Sequence, residues 1–175
     1  MGSAAAQDTT RVILETNFGD ITLELDPSAA PLTVENFLMY AEDGFYDGLV
    51  FHRVMKDFMI QGGGLDRDLT PMPTREPIQN EATNGLRNDR GTIAMARLGA
   101  PHSATAQFFI NTVDNNYLNQ NGANWGYAVF GRVIDGMDVV DTIGAMDTSH
   151  AFSPAQGRLQ DVPNEDVVIQ RVYQP

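Results

Sequence analysis

Short β-prone runs separated by turn residues recur along the chain, and only two stretches carry a helical period. Ile21, Leu23 and Leu25 alternate with Thr22 and Glu24, the period-2 pattern of a strand with one buried face. With Val12 to Thr16 ahead and a turn at Asn17-Phe18-Gly19-Asp20, this predicts a hairpin. Leu49 to Met55 and Phe58 to Gln61 read as two strands around Lys56-Asp57. Thr92 to Arg97, Gln107 to Thr112, Tyr127 to Ile134 and Val167 to Tyr173 read as the others. In Gln107 to Thr112, parity puts Gln107 and Phe109 on one face and Phe108 and Ile110 on the other.

The first helix begins with Pro31, which suits the opening helical position, and ends before Gly44. Val34, Phe37, Leu38 and Ala41 give it one apolar stripe. Asp135 is expected to cap a second helix from Gly136, with Met137, Val140 and Ile143 on one side and Gly144 as terminator. Residues 62–91 read as a long ordered loop with at most a short strand, 115–124 as a polar loop carrying Tyr117 and Leu118, and 145–165 as loop. Many strands and two short helices predict an all-β (mainly β) fold, a closed antiparallel barrel with helices covering its ends.

A length of 175 residues suits one domain, placed at 9–175, and 42% hydrophobic content allows an ordinary core. Residues 1–8 are expected to be disordered: Met1-Gly2-Ser3 reads as an expression scar, and Ala4-Ala5-Ala6-Gln7 as native tail or the stub of a removed signal. A net charge of −12 argues against binding a phosphate backbone. No apolar run reaches the roughly 18 residues of a membrane span.

The stretch Phe51 to Gly64 is the candidate for chemistry. It sets one guanidinium, Arg53, and one carboxamide, Gln61, among Phe51, Phe58, Met59 and Ile60. That mixture suits a shallow apolar pocket with a few fixed donors. Other chemistries lack their residues. Without cysteine there is no thiolate ligand or nucleophile. His52, His102 and His150 lack metal-ligand spacing, and His52 reads as structural. No G-x-S-x-G elbow is present. Gly62-Gly63-Gly64 lacks the Lys and Ser/Thr of a phosphate loop and reads as a tight turn.

One Arg, two Gln and several aromatics can bind a peptide, or assist a reaction that breaks no covalent bond. Rotation about an X–Pro bond is one, slow because amide resonance opposes it with a barrier of ~18–20 kcal/mol. In the twisted state the proline nitrogen regains a lone pair, to which a guanidinium N–H can donate. A module that grips Pro-containing segments without turnover, and a holdase, are the alternatives.

The sequence resembles the cyclophilin family of peptidyl-prolyl cis–trans isomerases over about residues 11–173. The resemblance lies in F-H-R-V-M-K-D-F-M-I-Q-G-G-G (51–64), G-T-I-A-M-A-R (91–97), S-A-T-A-Q-F-F-I-N (103–111) and Y-A-V-F-G-R-V-I-D-G-M-D-V-V (127–140). It implies an eight-stranded antiparallel barrel capped by two helices, with Arg53 catalytic on the outer surface. Phe58, Met59 and Phe109, with Leu118 beside them, would seat the proline ring. Gln61 would support Arg53, with Gln107 at the neighbouring wall. The backbone of Ala96-Arg97-Leu98 would pair with an extended substrate, the Arg97 side chain mattering less. Strict alternation, however, sets Phe58 and Met59 on opposite faces unless the chain bends.

Tyr117 and Tyr127 stand where many members carry Trp and His, and Arg97 where many carry Asn. Binding of cyclosporin-type inhibitors is therefore expected to be weak. Trp125 falls in an insert and is given no role. The implied partners are proline-containing peptides and unfolded segments, with no cofactor, metal, nucleic acid or membrane, and a monomeric state. The A-P-H-S-A-T-A-Q-F-F and N-W-G-Y stretches look like the bacterial cytoplasmic type, with the periplasm as the alternative if residues 4–7 are a signal remnant.

Overall fold

In the computed structural model, which describes residues 9–175, the predicted hairpin is β1 (Thr10–Thr16) and β2 (Gly19–Leu25), paired antiparallel. The expectation for residues 1–8 lies outside the described residues. Helix α1 (Pro31–Glu42) follows, with Pro31 in its opening turn and Gly44 left-handed just beyond its end. Then come β3 (Arg53–Met55), β4 (Met59–Gly62), β5 (Thr92–Met95), β6 (Phe108–Asn111), a 3₁₀ turn at Asn116–Leu118, β7 (Val129–Asp135) and α2 (Met137–Gly144). β8 (Thr148–Ser153), β9 (Gly157–Pro163) and β10 (Ile169–Tyr173) complete the chain.

Eight strands form one strongly curled antiparallel sheet, a half-barrel in the order β10-β1-β2-β7-β5-β6-β4-β3. Its inner face and the two helices enclose the main core. Phe37 of α1 sits at the centre, its ring 5.2–5.6 Å from those of Tyr46, Phe108 and Phe130.

Three expectations are corrected. The strand expected from Leu49 starts only at Arg53. The backbone before it serves two neighbours: Phe51 N–H donates to Val167 C=O at 2.9 Å, Ile169 N–H to Leu49 C=O at 2.8 Å, and Val50 N–H to Leu65 C=O at 2.9 Å. Only the Val50–Val168 bridge results, so the ends of the ladder, β3 and β10, share no strand pairing among the described residues.

Residues 145–165, expected as loop, contain the antiparallel pair β8–β9. A register shift between Ser149 and Ala151 breaks its period-2 signal, and its polar residues lie largely toward solvent. Ala151, Leu159 and Val162 pack on a small cluster of Val50, Leu65 and Leu69.

Asp135 does not cap α2. The N-cap is Gly136, at φ 86°, and the Asp135 carboxylate only accepts its N–H at 2.9 Å. A Cβ on Gly136 would lie 2.2 Å from the Asp20 carbonyl oxygen, so close approach of β2 leaves room for glycine alone. Beyond Gly62, which ends β4, residues 63–91 hold isolated bridges and no strand. Asp66, Asn80 and Asn84 order this segment by accepting backbone N–H groups two residues on.

Truncating Phe37 to Ala removes the ring on which three others lean. It should cost about 3–5 kcal/mol, read as a lowered urea midpoint; a loss under about 1 kcal/mol would mean the core re-collapses.

Candidate active site

Alternation on the central strands gives the sheet a second apolar surface. Ile60, Ile93, Phe108, Ile110 and Phe130 face the main core. Their neighbours Met59, Ala94, Phe109 and Val129 form a separate cluster with Leu118, against which Phe58, Ala96 and Tyr127 pack. There a cavity of about 220 Å³ opens, lined by Arg53, Phe58, Met59, Gln61, Ala96, Arg97, Phe109, Leu118 and Tyr127. All nine were singled out from sequence. Larger hollows of about 390 Å³ and 440 Å³ exist beside α1 and α2, but volume does not pick out the site. Among the described residues, only the cavity of about 220 Å³ joins a guanidinium without a carboxylate partner to a wall of several rings.

The parity conflict at Phe58 and Met59 is resolved by a turn. Asp57 is left-handed at φ 55°, Phe58 N–H returns to Met55 C=O at 3.2 Å, and β4 begins only at Met59. Phe58 is therefore outside the strand and free to lie over the same cavity.

Arg53 and Gln61 face each other across the β3–β4 register. Arg53 Nη1 donates to Gln61 Oε1 at 3.3 Å, and Nη2 lies 3.4 Å from Met55 Sδ. Gln61 Nε2 donates to Gln107 Oε1 at 3.0 Å, which fixes the amide with its oxygen toward Arg53. No carboxylate pairs with Arg53 among the described residues. Gln107 stands behind Gln61, outside the cavity lining. The third glycine makes room for it: a Cβ on Gly64 would meet the Gln107 side chain at 2.4–2.7 Å. The triple glycine is thus more than a tight turn.

On the opposite wall, Ala96 N–H donates to Gln107 C=O at 3.0 Å, and Leu98 N–H to Ser103 Oγ at 2.9 Å. Of the three residues expected to offer backbone, Arg97 makes no backbone hydrogen bond among the described residues. Its guanidinium lies over the Tyr127 ring at 4.5 Å and donates to Gly126 C=O and Leu98 C=O. Leu98, 75% exposed, and Tyr117, 63% exposed, stand on the rim rather than in the cavity. The Tyr117 ring centroid is 5.9 Å from that of Phe58. Among the described residues no cluster of three or more His, Asp or Glu could hold a metal ion.

Sequence reasoning missed the residues that carry these walls. Asn88, Asn111 and Asn115 are buried. Asn115 Nδ2 donates to Phe58 C=O at 2.9 Å and Asn111 Oδ1 at 2.8 Å. Asn111 Nδ2 donates to Asn88 Oδ1 at 3.1 Å, and Asn88 Nδ2 to the carbonyls of Leu118 and Tyr127, both at 3.3 Å. One chain of amides thus ties three separate cavity residues. The available signal was an asparagine ending the apolar run Phe108-Phe109-Ile110.

Residues 11–174 match the family model described as cyclophilin type peptidyl-prolyl cis-trans isomerase/CLD. The chain is 54% identical over 164 residues to peptidyl-prolyl cis-trans isomerase B of Escherichia coli, covering 92% of this chain and 97% of that one. It is 56% identical over 162 residues to an isomerase of Streptomyces antibioticus, covering 91% and 95%. A crystal structure of a Cryptosporidium parvum cyclophilin type isomerase matches at a TM-score of 0.78 with 26% identity, covering 96% of this chain and 98% of that one. The chain therefore belongs to the cyclophilin-type peptidyl-prolyl cis–trans isomerases.

His52 adjoins Arg53 in sequence, and its buried Nδ1 has no hydrogen-bond partner among the described residues. Burial, and then the charge of Arg53, lower its pKa from 6.5 to about 4. Between those values the unfolded chain binds the proton and the folded chain does not, so stability is full above about pH 6.5 and falls towards pH 4. The loss attributable to His52 should be on the order of 2–3 kcal/mol. His52→Gln should shrink the difference between urea midpoints at about pH 7.5 and 4.5; an unchanged difference would assign the acid sensitivity elsewhere.

Proposed function

We propose that this cavity is where the isomerase works, with Arg53 donating to the proline nitrogen as the X–Pro amide twists. The observation that carries this reading is a guanidinium, held by Gln61 and without a carboxylate partner among the described residues, at the mouth of an apolar cavity. Phe109 and Met59 form the floor for the ring, with Phe58 and Leu118 beside it. A carboxylate partner would compete for the donors that the twisted nitrogen needs. An extended peptide pairs with the N–H and C=O of Arg97, in the manner of strand addition. One solved relative, 26% identical, was crystallised in the presence of the dipeptide Ala-Pro, which agrees with a proline site of this kind.

A hydrogen bond from a charged donor contributes roughly 1.5–3 kcal/mol, about 10- to 100-fold in rate. The rest of the acceleration comes from a wall that fits the twisted amide better than the planar one. Substrates are Pro-containing segments of unfolded or flexible chains. Tyr117 and Tyr127, in place of the commoner Trp and His, make cyclosporin-type binding weak. The protein acts as a monomer in the cytoplasm, the compartment favoured by its A-P-H-S-A-T-A-Q-F-F and N-W-G-Y stretches. The hydrogen bonds linking Gly48–Phe51 to Val167–Ile169 serve as the seam that closes the half-barrel.

Arg53→Ala should lower kcat/KM on a short X–Pro peptide by about 10- to 100-fold, with an unchanged circular-dichroism spectrum. A variant as fast as the parent would remove Arg53 from the mechanism. A parent that binds the peptide without accelerating exchange would make the site a binding module.

A further inference from the structure

We propose that Arg97 is a specificity-determining residue that makes the enzyme favour an acidic side chain beside the X–Pro bond. This rests on the reading of the cavity as the proline site. Acidic residues outnumber basic ones 23 to 11 in the chain, so a random patch of its surface should be acidic. The cavity lining is the reverse, with two guanidiniums and no carboxylate. Six of the basic residues form ion pairs; Arg53 and Arg97, like Arg11, Arg158 and Arg171 elsewhere, form none among the described residues, and Arg53 and Arg97 alone of these five line the cavity.

Arg97 is also held in place. Its Nε donates to Gly126 C=O at 3.0 Å, Nη1 donates to Leu98 C=O at 2.9 Å, and the plane rests on Tyr127. Nη2 makes no hydrogen bond among the described residues. A pre-ordered guanidinium loses little freedom on meeting a carboxylate. Arg97 also lines a small hollow next to the cavity, and no carboxylate lines that either. The carboxylate nearest in the hydrogen-bond network, Glu81, stands behind Thr33 and is occupied there, accepting the Thr33 N–H and hydroxyl at 2.6 and 2.7 Å and the Leu32 N–H at 3.3 Å. A peptide whose backbone pairs with Arg97 therefore meets guanidiniums and no carboxylate among the residues that line this wall. Arg53 is directed at the proline nitrogen, which leaves Arg97 to select the flanking side chain.

The test uses peptides that differ only in the residue before proline or the residue before that, as Glu, Gln or Lys. In the parent, kcat/KM should rank Glu over Gln over Lys at one of these positions, with a Glu-to-Lys ratio of roughly three- to ten-fold carried by KM. Arg97→Gln should bring the ratio towards one, Arg97→Lys should keep most of it, and about 0.5 M salt should erase it in the parent. Each ratio compares peptides on the same protein, so a smaller active fraction cancels. No preference in the parent, a ratio unchanged in Arg97→Gln, or a ratio that survives salt would overturn the proposal. A parent inactive on every peptide would overturn the proline-site reading beneath it, a result distinct from activity without preference.

Discussion

Phe108 and Phe109 stand back to back on β6, and the site exists because both of their faces are filled. Phe108 is wedged between Phe37, Tyr46 and Phe51, ring edge to ring face, and has no exposed surface. With the inner side close-packed, the strand cannot roll, and Phe109 is held outward against Tyr127. The same logic fixes Met59 behind Ile60, and Ala94 between Ile93 and Met95. The cavity floor is rigid because it is the reverse side of the core. Only its rim is made of loops.

The rim is stiffened by polar groups that cannot afford to lose one another. A buried amide without a partner is destabilising by about 1–3 kcal/mol. The Asn88–Asn111–Asn115 chain therefore resists any movement of the Phe58, Leu118 or Tyr127 backbone that would open it. The Arg53–Gln61–Gln107 chain follows a different rule. It orients a charge with neutral amides, which leaves the charge without a carboxylate partner among the described residues.

Much of this was legible in local pattern. The first hairpin, the α1 stripe and the two faces of β6 follow from periods of 2 and 3.6. Arg53 and Gln61 stood out because an apolar run has little other use for them. What stayed hidden depends on contacts distant in sequence or on backbone angles the residue type does not announce. Nothing in Asp57 declares that it will take a left-handed turn and carry Phe58 out of the strand. Gly136 replaces Asp135 as cap because β2, far away in the chain, passes too close for a side chain. The β8–β9 pair lacks an alternating apolar face, since it packs on a small satellite cluster rather than on the main core. The amide chain behind Phe58 appears only when two loops, at Asn88 and Asn115, meet the end of β6 at Asn111.

The most direct measurement is a crystal structure of the protein soaked with a short X–Pro peptide. The proline ring should lie on the Phe109–Met59 floor, with an Arg53 nitrogen within hydrogen-bonding reach of the proline nitrogen and Gln61 still holding the guanidinium. A peptide bound with its proline elsewhere, or with Arg53 turned from the ring towards solvent, would contradict this arrangement.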